Sequence, residues 1–278
     1  MLLNYMLRLG FTESALLFFF YLDNILDFSN KDIYRNHQEK YINWLYSTSG
    51  FYDREINGDY FNFDPIIIKK SPTYNAYFFK LLEVLKNYKY NVVLCLIKFE
   101  FLEIELESFF KYINYHEKIN KYTTVLNCLD NKKVLIINNL GSLMKKQFES
   151  GNINLICPEF PKNVRSIDFY ENGYSFLNNG NDDNILDTCK KICTILKSFE
   201  FDVAVISCGA YSCLFADYIS EELKKEIYVV DGMLPEYFGI ITNRCLKLNN
   251  NVINEYFINV PDEMKPPNYL KIEDGCYW

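Results

Sequence analysis

Histidine and arginine are scarce in this chain: two histidines and five arginines in 278 residues. His37 and His116 have no motif around them, so neither takes a role. The arginines are Arg8, Arg35, Arg54, Arg165 and Arg244, and the formal net charge is -7. A phosphate backbone is bound through many cationic contacts, so no nucleic-acid partner is expected. Long apolar runs are missing as well. The stretch ALLFFFYL (15–22) falls far short of the roughly 20 residues needed to cross hydrocarbon, and no membrane span is expected. The start, MLLNYMLRLG, has no basic region before its apolar residues and no small-residue cleavage site after them. No signal peptide is therefore expected, and the expected location is cytoplasmic. No G-x-G-x-x-G occurs at a strand–helix corner, which argues against a standard dinucleotide oxidoreductase.

What is present describes a folded protein. Hydrophobic residues make up 49% and charged residues 23%, and the length suffices for a sizeable core. Nine cysteines are an odd number and cannot all pair; Cys95, Cys208 and Cys213 lie in or beside apolar runs. Buried thiols in a reducing compartment are the expectation. Cys189 and Cys193 are one helical turn apart, but no histidine or second cysteine pair lies near them, so they are read as a helix face in the core. The 23 Tyr and 23 Phe are spread evenly and are read as codon bias of an AT-rich gene.

From residue 75 onward helical and strand patterns alternate. Residues 75–88 repeat apolar side chains at helical spacing, and VVLCLI (92–97) and VLII (134–137) are short apolar runs of the kind buried in parallel sheets. A helix over 141–150 with Ser142 as its cap follows, then a short strand at 152–157. The stretch DDNILDTCKKICTILKSF gives a helix with Ile185, Cys189, Ile192, Cys193 and Leu196 on one face and Asp182 or Asp183 at its start. Strand 202–207, helix 211–223 and strand 226–230 complete the series. The pattern predicts one α/β domain over 1–278, Rossmann-like, with a mainly parallel sheet flanked by helices. Residues 1–128 would form its N-terminal half and 129–278 its C-terminal half. Residues 171–184 (ENGYSFLNNGNDDN) have no periodicity and read as a long loop, functional or mobile. The acidic run Glu100, Glu103, Glu105 and Glu107 reads as a solvated helix face, and the GCYW end as a tail packed on the core.

In open parallel sheets ligands bind beyond the carboxyl ends of the strands, where helix starts offer N–H groups to anions. Residues 203–211 have that form: a strand ending at Ser207, then Cys208-Gly209-Ala210-Tyr211 and a helix. Asp231 lies 22 residues past Gly209, near the separation of about 20 at which nucleotide-binding units place their ribose-binding acid. A plain structural crossover has the same pattern, and Asp231 with Gly232 is also a frequent turn pair.

Several stretches together resemble a family of glycosyltransferase-like proteins of bacteria and large viruses. RLGFTES (8–14) resembles its R-x-G-x-x-E, and KKVLIINNLGSLMKKQ (132–147), PEF (158–160), FDVAVISCGAY (201–211), FGIITNRC (238–245), NEYF (254–257) and EDGCYW (273–278) resemble its later segments. The scheme is similar to the D-type glycosyltransferase fold. The resemblance implies a nucleotide-sugar-dependent glycosyltransferase of polysaccharide or glycoprotein glycan synthesis, in the host cytoplasm for a viral member. Its partners would be a nucleotide-diphosphate sugar donor and a glycan acceptor, and a divalent metal, Mn or Mg, would accompany the donor. Arg8 would meet a phosphate or carboxylate, and Glu13 the metal or sugar. Gly10, Ser207, Gly209, Ala210, Tyr211, Gly232 and Arg244 would line the donor site, and Glu13 or, from its place after the strand and not from the resemblance, Asp231 would be the catalytic carboxylate. The chain departs from the pattern in having Phe11 where the first acid of Asp-x-Glu stands, and Asp231, Val229 and Pro235 where the family has glycine, histidine and glutamine. Those departures leave open a catalytically degenerate nucleotide-binding or scaffold protein of the same fold.

Overall fold

The computed structural model describes residues 5–26, 28–54, 56, 65–87, 91–94, 102–113, 122–176, 180–248 and 253–278. Its centre is a parallel sheet of β1 (Tyr5–Leu9), β2 (Asn91–Leu94), β3 (Lys133–Asn138), β4 (Ser166–Glu171), β5 (Val203–Ser207) and β6 (Glu226–Val229). The strand order is β2-β1-β6-β5-β3-β4, and every pairing is parallel. This is the α/β, Rossmann-like architecture the alternating pattern predicts, and strands from both halves of the chain share the one sheet.

Successive strand residues serve two cores. Leu7, Leu9, Leu135, Ile137, Ala204, Ile206, Ile227 and Val229 face one side; Met6, Val134, Ile136, Val203, Val205, Tyr228 and Val230 face the other. A period of two with apolar residues at every position requires cover on both faces. The first face is covered by α1 (Phe11–Asn24), α2 (Arg35–Thr48), α3 (Pro65–Lys70), α4 (Pro72–Lys86), α5 (Glu103–Tyr112), α9 (Ile185–Leu196) and α10 (Ser212–Glu221). The second is covered by α6 (Tyr122–Asn127), α7 (Gly141–Glu149), α8 (Ile153–Ile156), a 3-10 turn at Leu234–Phe238 and the C-terminal tail. α11 (Asn243–Leu248) leads toward that tail.

The apolar stretch 15–22 is the middle of α1, buried on all sides, as a helix apolar all round must be. Its aromatics fill the core: Phe19 stacks on Tyr34 with ring centres 5.2 Å apart, and Phe20 on Phe78 at 5.6 Å. Among the described residues no helix is long and apolar enough to cross a membrane. Cys189 and Cys193 are buried on the inner face of α9 with their sulfurs 3.9 Å apart, and the described cysteines are unpaired. The tail packs as expected, with Cys276 and Trp278 buried.

Three local expectations are corrected, and one strand was not foreseen. Residues 152–157 form the short helix α8, because a brief apolar run has no period by which to choose. The strand beyond β3 is β4 instead, SIDFYE, whose edge position leaves it half-exposed. Ser142 is not the cap of α7, which begins at Gly141; its amide and hydroxyl both donate to the Glu171 carboxylate at the end of β4. The cap of α9 is Asn184, not Asp182 or Asp183: its Oδ1 accepts from the amides of Leu186 at 3.0 Å and Asp187 at 3.1 Å. Cys95, residues 95–97, Glu100 and His116 lie outside the described residues. Glu107 is exposed on α5 and Glu105 half-buried.

Candidate functional site

The carboxyl ends of β1, β6, β5 and β3 open on a cavity of about 300 Å³. β1 is paired on both sides, so its end lies in the middle of that rim. Leu7 and Leu9 turn into the helical core, and Arg8 between them points the other way, into the cavity. The Arg8 side chain is 28% exposed, and its nearest acid is Asp231, 3.9 Å from Nη2. Among the described residues its guanidinium makes no hydrogen bond.

Gly10 is the N-cap of α1, and Glu13 stands in the first turn. The Glu13 carboxylate folds back over the helix start, into the space a side chain at position 10 would need. That explains the glycine of R-x-G-x-x-E locally: it makes room for the acid. Glu13 is buried but lines the cavity. Burial pushes its carboxyl above the ordinary range; hydrogen bonding to its own amide and to the Ser49 hydroxyl, and the charge of Arg8, oppose this, while Glu273 adds to it.

At the end of β5, Ser207, Cys208, Gly209 and Tyr211 line the cavity. Gly209 has φ +55, and a Cβ there would stand 2.5 Å from the Ser49 carbonyl oxygen. The same carbonyl accepts from the Ala210 amide at 2.9 Å, and the Ala210 carbonyl accepts from Tyr77 Oη at 3.0 Å. The Tyr211 amide closes a 3-10 turn onto the Cys208 carbonyl at 3.3 Å. The expectation that Ala210 and Tyr211 offer amides to a phosphate is therefore corrected: both N–H groups are already used. Ala210 does not line the cavity, and the glycine at 209 serves the packing of this corner on Ser49. Tyr211 contributes a buried ring, stacked on Phe215.

Beyond β6, the Asp231 carbonyl accepts from the Ser207 hydroxyl at 2.7 Å, and its Oδ1 accepts from the Met233 amide at 2.9 Å. Asp231 thus closes a turn and also lines the cavity with Oδ2 toward Arg8. Gly232 and Arg244 line it as well. Burial works against the charge of Arg244, but Tyr277, Cys276 and Glu273 around it hold the guanidinium firmly protonated.

The structure brings Arg8, Gly10, Glu13, Ser207, Gly209, Tyr211, Asp231, Gly232 and Arg244 to one cavity. It adds walls that motif reading missed. Ser49 and Gly50, just past α2, join Glu13 and Ala210 to Ser175, whose hydroxyl donates to the Gly50 carbonyl at 2.6 Å. Tyr174, Ser175 and Phe176 come from the aperiodic loop after β4, and Glu273 and Tyr277 from the tail. The loop's length and the tail's apolar residues were the signals for these; Ser49 left none. The carboxylates here already have partners within the protein. Glu13 covers its own helix start, Asp231 holds the Met233 amide, and Glu273 pairs with Arg244 at 3.4 Å. Among the described residues no cluster of three or more histidine, cysteine, aspartate or glutamate side chains could hold a metal ion. Comparison with known protein families, with curated proteins and with solved structures finds no match to this chain.

Proposed function

We propose that the cavity binds a nucleotide-diphosphate sugar and that the protein is a glycosyltransferase acting on a glycan acceptor in polysaccharide or glycoprotein glycan synthesis. The observation that carries this is Arg8, a guanidinium free of hydrogen bonds among the described residues, facing a cavity at the carboxyl ends of a parallel sheet. A planar fork of donors fits a diphosphate, and Arg244 supplies a second cation on the same cavity. In the reaction the acceptor hydroxyl oxygen bonds to the anomeric carbon, and the bond from that carbon to the β-phosphate oxygen breaks. Arg8 and Arg244 stabilise the charge that develops on the departing nucleoside diphosphate. Glu13 takes the hydroxyl proton, its carboxyl held above the ordinary range by burial. Asp231, held in its turn, orients Arg8. No step is routed through a metal.

A second reading, a nucleotide-binding protein without turnover, is favoured by one observation: Phe11 leaves Glu13 as the sole acid in the first turn of α1. Thermal-shift measurement with UDP-, GDP- and dTDP-sugars separates the outcomes, since a ligand stabilises by RT ln(1 + [L]/Kd). Stabilisation by one sugar nucleotide, loss of it in Arg8→Ala, and release of nucleoside diphosphate with acceptor support the transferase. Stabilisation without release supports the second reading. No stabilisation by any of them overturns both.

A further inference from the structure

Arg244 occupies a socket. Its guanidinium carbon is 4.8 Å from the centre of the Tyr277 ring, and that ring is backed by Phe176, 5.8 Å away and nearly parallel. Nη2 is 3.4 Å from Glu273 Oε2 and 3.5 Å from Cys276 Sγ. Nη1 fills the space a side chain at Gly232 would need, with Cζ 3.3 Å from where its Cβ would be. The tail is itself held in place: the Arg244 amide donates to the Cys276 carbonyl and the Asn243 amide to the Trp278 carbonyl, both at 2.9 Å. Three successive residues, Glu273, Asp274 and Gly275, have φ of +48, +54 and +70. Left-handed non-glycine residues persist only where their surroundings impose them, and they gather at ligand clamps.

We infer that Gly232, Glu273 and Tyr277 are positioning residues that fix the Arg244 guanidinium in advance as the seat of the ligand's diphosphate. This rests on the function proposed above. An unrestrained arginine loses side-chain freedom when it takes an anion; here that ordering is completed on folding. Gly232 is glycine because the guanidinium packs there, not because the ligand comes close.

Two measurements test this. With five arginines in the chain, a ¹⁵N-arginine spectrum resolves each Nε–H, and Arg244→Lys assigns its signal. A fixed guanidinium gives a dispersed, slowly exchanging signal in the ligand-free parent, and Gly232→Ala collapses it toward the exposed arginines. Nucleoside diphosphate affinity, measured by calorimetry with UDP, GDP and dTDP, then falls about tenfold in Gly232→Ala. The double variant Gly232→Ala/Arg244→Lys binds no more weakly than Arg244→Lys alone, because Gly232 acts through Arg244. Tyr277→Leu, which adds no bulk, carries the same test if Gly232→Ala fails to fold. An unchanged Nε–H signal, or additive losses in the double variant, overturns the inference while the proposed function stands. A fixed signal in a parent that binds no nucleoside diphosphate overturns the diphosphate assignment and the proposed function together.

Discussion

Glu13 and Gly209 are the residues at which chemistry and fold compete most directly. Burial disfavours the charged form of Glu13, so the folded chain holds this proton more tightly than the unfolded one. The stability that the protonated form contributes is complete below the ordinary value of 4.5 and is lost as pH rises through the raised folded value. Glu13→Gln removes that slope. Urea unfolding of parent and variant across pH 4–8 should give a difference curve that grows in favour of the variant as pH rises, while sugar transfer by the variant is abolished. Gly209 bears on the fold first. Its φ of +55 and the nearby Ser49 carbonyl both oppose a Cβ, whereas Gly151, at φ +79, has nothing within 4 Å of one. Gly209→Ala should therefore cost more than Gly151→Ala, by about 1–3 kcal/mol, read as a difference in urea midpoints. Equal costs would mean that the Ser49 contact gives way easily.

Among the elements, helix starts are where side chains decide most. Asn184→Ala removes two hydrogen bonds from the start of α9 and should cost about 1 kcal/mol. Ser71→Ala should cost more. The Ser71 hydroxyl caps α4 through the Tyr74 amide at 3.1 Å and also donates to the Asp53 carboxylate at 2.5 Å, where Asp53 is 1% exposed. Denaturant unfolding of both variants checks the order. The same scale sets what was legible in the sequence. β3, β5 and β6 are buried on both faces and so are written as unbroken apolar runs, and α9 carries its apolar face at strict helical spacing. β4 hid because an edge strand alternates, and α8 because its run is too short to have a period. Gly209 and Asp231 were findable because each sits just past a strand, and Glu13 because it stands in the first turn of a helix; Arg8, inside β1, and Arg244, inside α11, were marked only by the resemblance. The loop's length and the tail's apolar residues marked Tyr174, Phe176 and Tyr277 as parts of notable segments, but that these and Ser49 reach one cavity follows from packing between segments far apart in the chain, which no local pattern encodes.

Among the described residues the two faces of the sheet differ: one is covered mostly by helices of ten or more residues, the other by shorter ones and the tail. Trp278 ends that tail, 3% exposed and in ring contact with Tyr174, Phe176, Tyr269 and Tyr277. Trp278→Ala should cost about 3–5 kcal/mol in denaturant unfolding, and should also weaken nucleotide binding because the wall of the cavity loses its backing. A loss of stability with unaltered binding would separate the tail from the site. The strand order has a consequence for synthesis on the ribosome. Tyr5 of β1 lies opposite Ile227 of β6, so β1 waits for a neighbour that emerges roughly 220 residues later, tens of seconds at about 5–20 residues per second. Until then β1 has an open hydrogen-bonding edge, and the apolar helix behind it has no finished sheet to rest on. A nascent chain in that interval is a natural client for a chaperone that shields apolar segments, and the cavity takes shape only once Glu273 and Tyr277 have emerged.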